Sequence, residues 1–305
     1  MLNENASEMK TRLIIERSTA IKAPSLIALL AYSKKVQQTL LPLCSNELGA
    51  AKFLMNAGIL HRERHCQCGT EMRGSSANSH GKVIPIWRCP EKYCKKTKGV
   101  RPDTWLDPTI SLSTIVKFIY WWSRENTSVK FCEREIGIDD NTVIDWSNYL
   151  REFTKRKNNV GRVLPEQWVF GGICRETREC FIVAVPDRTA ATLLEVIEER
   201  IAPGSTIMSD GWAAYNNIPT LPGRFNHLRV NHRLNFVDSI TGAHTQNIER
   251  LWRSAKKRNK SQSGTHRQML DSYFCEFLWR QDVKRRNADQ FEEILRNIVD
   301  FMPPA

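Results

Sequence analysis

Four thiols and two carboxylates stand out as residues whose types and spacing could do chemistry. Cys66 and Cys68 are separated by one residue; Cys89 and Cys94 follow after 20 intervening residues and are separated by four. Two thiol pairs on short knuckles joined by a hairpin can close a tetrahedron around zinc. The usual knuckle has two residues between its ligands, a gap found here between His65 and Cys68, so His65 is an alternative to Cys66. A closed four-ligand site is structural, and in a segment this short the metal would supply the folding free energy. Four unrelated free thiols are the competing reading. Asp210 ends a short apolar stretch, Thr206 to Ser209, that follows a Pro203-Gly204 turn. Glu249 flanks a helical stripe of Ile248, Leu251, Trp252 and Ala255 that Thr245 can cap. A carboxylate at a strand end is held rigidly yet stays accessible, which suits a divalent cation. Taken singly, either acid is as readily structural.

The elements that must position these groups fall into four segments. Residues 1–60 read as helical, with a loose apolar face at Leu29, Leu30, Tyr32 and Val36 and a clearer one at Leu48, Ala51, Leu54 and Met55. Residues 61–105 form the cysteine-rich, zinc-ribbon-like segment. Residues 110–153 read as three helices: one through Leu112, Ile115, Val116 and Ile119, a second from Ser128 to Ile136 stopping at Gly137, and a third capped by Asp140 or Asn141. A short Gly-containing turn between helices fits a helix-turn-helix, in which the second helix enters the major groove. Asn141, Thr142 and Arg151 are then the candidate DNA contacts, with Asp145 and Asn148 beside them; a generic helical hairpin is the alternative. Lys155 to Gln167 is polar, carries Gly161 and Pro165, and reads as a linker. From Trp168 onward strands alternate with helices. The expected fold is therefore an α/β domain over 165–302, preceded by a small zinc ribbon and a helical domain.

Charge narrows the partner. The chain has 305 residues and a formal net charge of +12, from 45 Lys and Arg against 33 Asp and Glu. Such an excess favours a polyanion. From Arg250 to Arg286 there are eleven Lys and Arg against three acids, with Lys256, Lys257, Arg258 and Lys260 clustered inside; Lys155, Arg156 and Lys157 form a second cluster. A solvated helix face would explain either cluster alone. The longest apolar run, Leu26 to Tyr32, is too short to span a bilayer, so no membrane partner is expected. The N-terminus does not read as a secretory signal, and the nine cysteines read as reduced thiols or metal ligands.

Five ordered motifs sharpen this: WVFGGI (168–173), VPDRTAATL (185–193), SDGWAAY (209–215), VNHRLNFVD (230–238) and GAHTQNIERLW (242–252). Together they resemble the transposase core of Merlin-type cut-and-paste elements and their bacterial insertion-sequence relatives. The order of knuckle segment, helical region and core matches too, from about residue 50. The resemblance implies a ribonuclease-H-like fold whose three acids hold two divalent metals, Mg2+ or Mn2+, for cleavage and transfer of double-stranded DNA at transposon ends and target. It makes Asp210 the second acid and Glu249 the third, and gives His232, Asn235, His244 and Asn247 supporting roles. A homodimer is compatible with it, as is a nuclear location in a eukaryote or a cytoplasmic one otherwise. One departure stands against the match. The family has a strand before WVFGGI that bears the first catalytic Asp. Here Thr154 to Gln167 contains no Asp and one acid, Glu166; Asp187 is a conceivable substitute in a motif with another role. The expectation is a transposase impaired by loss of that strand and acid, with a non-catalytic DNA-binding descendant as the alternative.

Overall fold

The computed structural model describes residues 13–16, 45–79, 81–106, 110–154, 168–231, 236–261 and 269–304. It divides into two compact units, Met1–Lys22 with Thr154–Asn287, and Ala23–Phe153 with Ala288–Ala305.

The first unit is built on a five-stranded sheet. Strand β1 (Leu13–Glu16) comes from the N-terminal region. Strands β5 (Trp168–Cys174) and β6 (Cys180–Val185) form an antiparallel hairpin, with Arg178 in the left-handed region at its turn (φ 61°). Helix α5 (Ala190–Arg200) follows, its N-terminus capped by the Thr189 side chain, which accepts from Thr192 N. Strands β7 (Thr206–Asp210) and β8 (Asn226–Val230) are parallel neighbours. Helices α6 (Gln246–Ser261) and α7 (Leu270–Arg285) complete the unit. Val169 to Cys174 are all buried, as expected of a central strand covered on both faces. The strand period sorts their side chains: Phe170 packs with Leu193, Ile197, Ile207 and Tyr215 on the α5 face. Val169 and Ile173 pack with Met208, Ile248, Leu251 and Trp252 on the α6 face. Gly171 lets Trp252 approach, since a Cβ there would lie 3.1 Å from that indole and 2.8 Å from the Phe181 carbonyl.

The strand order is β6-β5-β1-β7-β8, and this corrects two expectations. The N-terminal region, read as helical, contributes a strand, and the sheet has a strand in the central position expected to be lost. A four-residue apolar stretch is too short for periodicity to tell strand from helix. The reason it lodges there is backbone accounting. Without it, the facing edges of β5 and β7 would leave buried N–H and C=O groups unpaired. Its direction is decisive: β1 runs parallel to β5 and antiparallel to β7. A strand leading into β5 through a tight hairpin would run antiparallel to it. Leu13 pairs with Ser209 and Glu16 with Thr206, so the one acid of this strand sits toward the start of β7, away from Asp210.

The second unit contains α1 (Glu47–Asn56), an antiparallel sheet of β2 (Arg73–Ser79), β3 (Lys82–Arg88) and β4 (Thr97–Gly99), and helices α2 (Leu112–Ser123), α3 (Val129–Glu135), α4 (Asp140–Glu152) and α8 (Gln290–Phe301). Glu47 accepts from the amides of Leu112 and Ser113, both at 3.1 Å, closing the start of α2. Gly137 ends α3 with φ 76°, where only Gly is at ease. Asp139, one residue before the expected cap, accepts from Thr142 N and starts α4. On α1 the buried residues are Ala50, Ala51 and Leu54, while Leu48 is exposed. Helix α8 stacks Phe291 on Phe53 and sets it edge-on to Tyr120; it therefore belongs with this unit, although the α/β domain was expected to run to 302. The face at Leu29 to Val36 and the linker 155–167, including Lys155, Arg156, Lys157 and Glu166, lie outside the described residues.

Candidate metal centre and carboxylate site

The cysteine centre is made by two tight turns beside the β2–β3 hairpin. In the first, Gly69 N donates to Cys66 O and Cys66 N to Thr70 O, both 2.9 Å, with Gly69 at φ 85°. In the second, Cys89 N donates to Lys96 O and Cys94 N to Glu91 O, with Lys95 at φ 46°. These turns bring the sulfurs of Cys66, Cys68, Cys89 and Cys94 within 4.8 Å of one another. Cys66 Sγ lies 3.5 Å from Cys94 Sγ, and Cys68 Sγ 3.6 Å from Cys89 Sγ. Tetrahedral zinc at about 2.3 Å from each sulfur requires sulfurs about 3.8 Å apart, so the four thiols fit that ion. His65 is not in the group; it forms an isolated β-bridge with Glu71. Hydrogen bonding with the Thr70 hydroxyl and amide pulls the Cys68 thiol down to about 6. Burial and the neighbouring sulfurs push Cys89 up to about 12. A dication reverses that unevenness, since it holds each ligand as thiolate.

The carboxylates sit on elements that share a core. Asp210 ends β7, and its Oδ1 accepts the Trp212 amide at 3.2 Å. Before it, the buried Ser209 hydroxyl donates to the Asp210 carbonyl at 2.8 Å and meets His227 Nε2 at 2.8 Å. Burial, aided by Arg229, holds the His227 pKa below its ordinary value, so the ring is neutral. Glu249 lies in the first turn of α6, where Thr245 Oγ1 donates to its Oε1 at 2.9 Å; a carboxylate is favoured there by the helix dipole. Met208, next but one before Asp210, and Ile248, beside Glu249, belong to one apolar layer. His244, just before α6, is tied to Arg175, whose other nitrogen donates to Met208 Sδ at 3.2 Å.

Among the described residues neither Asp210 nor Glu249 belongs to a convergent group of three or more His, Cys, Asp or Glu; the cysteine cluster is the one such group. Asp187 is committed elsewhere. Its Oδ1 accepts from Thr189 N, Thr189 Oγ1 and Thr192 Oγ1 at 2.9, 2.7 and 2.7 Å, and the Thr189 and Thr192 bonds hold its carboxyl below the usual range. Its neighbour Arg188 reaches the loop that follows Asp210. The guanidinium lies 4.6 Å from the rings of both Trp168 and Trp212, linking the start of β5 to the loop after Asp210. Sequence reasoning misses this sandwich, because nothing local pairs residues 168, 188 and 212.

The expected DNA contacts fare unevenly. Asn141 is exposed. Thr142 is half-buried, with its hydroxyl donating to Asp139 Oδ2 at 2.8 Å. Arg151 is a correction: only 4% of it is accessible, and its guanidinium bonds Asn148. The reason is its position beside Leu150 in the last turn of α4, just before the buried Phe153. Lys257 is exposed and Lys256 half-buried on α6; the side chains of Arg258 and Lys260 lie outside the described residues, as do His232 and Asn235. Among the described residues no helix is long and apolar enough to cross a membrane.

Residues 146–282, which include Asp210 and Glu249, match the family model described as ISXO2-like transposase domain. The chain is also 28% identical over 100 residues, 33% of its own length and 78% of the relative's, to an "Uncharacterized transposase-like protein" of Haemophilus influenzae. No solved structure matches. Both similarities support a transposase.

Proposed function

We propose that this chain is a DNA-binding relative of the Merlin-type cut-and-paste transposases, with a ribonuclease-H-like sheet, that does not cut DNA as it stands. The observation that carries this is the reversed central strand: β1 fills the place between β5 and β7 but brings no acid to the Asp210 end. In an intact site of this class three carboxylates hold divalent metal on both sides of the scissile phosphate, stabilising the attacking and leaving oxygens. Two carboxylates with no third partner among the described residues do not fit a magnesium or manganese pair, so no cleavage step is assigned to Asp210 or Glu249. Their remaining roles are the turn after β7 and the start of α6.

Binding needs no carboxylate. The net charge, the basic run 250–286 and the helices α2 to α4, read as a helix-turn-helix, support double-stranded DNA as partner. A structural Zn2+ at Cys66, Cys68, Cys89 and Cys94 would brace the neighbouring hairpin. A homodimer fits the reading, as does a nuclear location in a eukaryotic host and a cytoplasmic one otherwise. Nicking of supercoiled DNA bearing the element's own ends, with Mg2+ or Mn2+, is the test. No activity above an Asp210→Ala control is expected. Cleavage abolished by both Asp210→Ala and Glu249→Ala would overturn the proposal and revive the active-transposase reading.

A further inference from the structure

Part of the basic excess of the C-terminal half converges on one groove. Between α6, α7 and the β5–β6 turn lies a concavity of about 410 Å³ with Arg178, Arg250, Lys284 and Arg285 in its wall and no Asp or Glu among the described residues that line it. Helical spacing produces this. Asn247, Arg250, Leu251 and Ser254 recur at i, i+3, i+4 and i+7 on α6, and Gln281, Lys284 and Arg285 at i, i+3 and i+4 on α7, so each helix offers one stripe. Arg178 enters from the hairpin turn and donates to Asn247 Oδ1 at 3.3 Å, which leaves the Asn247 amide N–H groups as donors. Ile173 and Leu251 make an apolar floor.

The groove is built for anions on one side only. Arg285 is anchored at its rim by Asp282 at 2.7 Å and Glu179 at 3.7 Å. Those two acids line the adjoining cavity of about 350 Å³ instead. Hydrogen bonds from Arg285 and Arg286 outweigh burial and hold the Asp282 carboxyl below its ordinary range, so that second cavity mixes carboxylates with Arg178 and Arg285. Arg250 and Lys284 are exposed and have no carboxylate among the residues lining their groove. Arg250 and Lys284, with Arg178 and the carboxylate-paired Arg285 beside them and neutral donors at Asn247, Ser254 and Gln281, in a space this small match successive phosphates of a polynucleotide backbone, not a whole duplex cross-section.

We infer that the α6–α7 groove is a phosphodiester-binding track for duplex DNA, read through its backbone and not its bases. The inference rests on the DNA-binding reading above. It is independent of the carboxylates, because Glu249 is not among the lining residues of this groove.

Full-length protein titrated with a random-sequence DNA duplex over a salt series tests it. Removing one phosphate-binding cation should lower the slope of log affinity against log salt by about 0.9. Arg250→Ala/Lys284→Ala should weaken binding several-fold at low salt and flatten that slope by roughly 2. Arg250→Lys/Lys284→Arg should restore it. Arg200→Ala/Arg224→Ala, which removes the same charge elsewhere on the unit, should leave the slope within about half a unit of the parent. An unchanged slope in the groove variant, with parent binding intact, overturns the groove and leaves the DNA-binding reading standing. Equal flattening by the control pair also overturns it. No binding by the parent chain overturns both.

Discussion

The cysteine centre and the carboxylate pair are both sites that the resemblance leads one to expect, and they have fared differently. All the ligands of the first lie between Cys66 and Cys94, on two turns whose geometry is closed by hydrogen bonds within a few residues. On the proposed reading the second needs side chains from β7, from the start of α6 and from the strand beside β7. With β1 in that place the sheet is continuous, because backbone pairing is indifferent to which side chains a strand carries. A catalytic acid, by contrast, must arrive at one register position pointing one way, which is why the proposed function leaves this site incomplete. A compact site thus tolerates change elsewhere in the chain, whereas a distributed one can lose its chemistry while its fold survives.

The strongest way to break this comparison is at the cysteines. Structural zinc contributes on the order of 10 kcal/mol to small metal-organised folds. Chelation, or Cys89→Ser/Cys94→Ser, should therefore abolish zinc content by metal analysis and remove hydrogen-exchange protection across β2 to β4. Protection that persists without metal would mean that the turns hold themselves, and that the contrast between the two sites is smaller. Next in size is the borrowed strand. Ile14→Pro deletes an N–H from the centre of the sheet. Unsatisfied partners on the neighbouring strands should make this cost roughly 2–4 kcal/mol, read by thermal or urea unfolding. An unchanged midpoint would show that β5 and β7 do not depend on β1.

Smaller effects sharpen the contrast between the regions. Gly171→Ala in β5 forces a Cβ against Phe181 O and Trp252 and should cost about 1–3 kcal/mol. Gly74→Ala in β2 meets nothing within 4 Å and should be close to neutral. Equal costs at the two positions would argue against tight packing of α6 on the sheet. The smallest effect is expected at Asp187, whose lowered pKa contributes stability above the ordinary carboxylate range and loses it as pH falls through the folded value. Asp187→Ala should lower the melting temperature slightly at neutral pH, with the difference vanishing in acid. A Mg2+-dependent stabilisation that this substitution removes would instead make Asp187 a metal ligand and undo the incompleteness of the carboxylate site.

Much of this molecule is legible in short windows of its sequence. Ser128, Thr189 and Gly137 stand where a helix must begin or end, and the structure uses them so. The apolar run of β5, the short strand ending at Asp210 and the core stripe of α6 follow from periodicity, and the cysteines converge although neither pair has the usual knuckle spacing. Burial of Arg151, the return of α8 to the second unit, the Arg188 sandwich and the α6–α7 groove were decided by contacts between residues far apart in the chain. The N-terminal strand shows the limit most clearly. Four residues, Leu13 to Glu16, carry no periodicity that names a partner or a direction. Only two open strand edges waiting in the folded sheet select them, and their polarity there sets Glu16, the one acid of the strand, opposite Thr206 and not at Asp210.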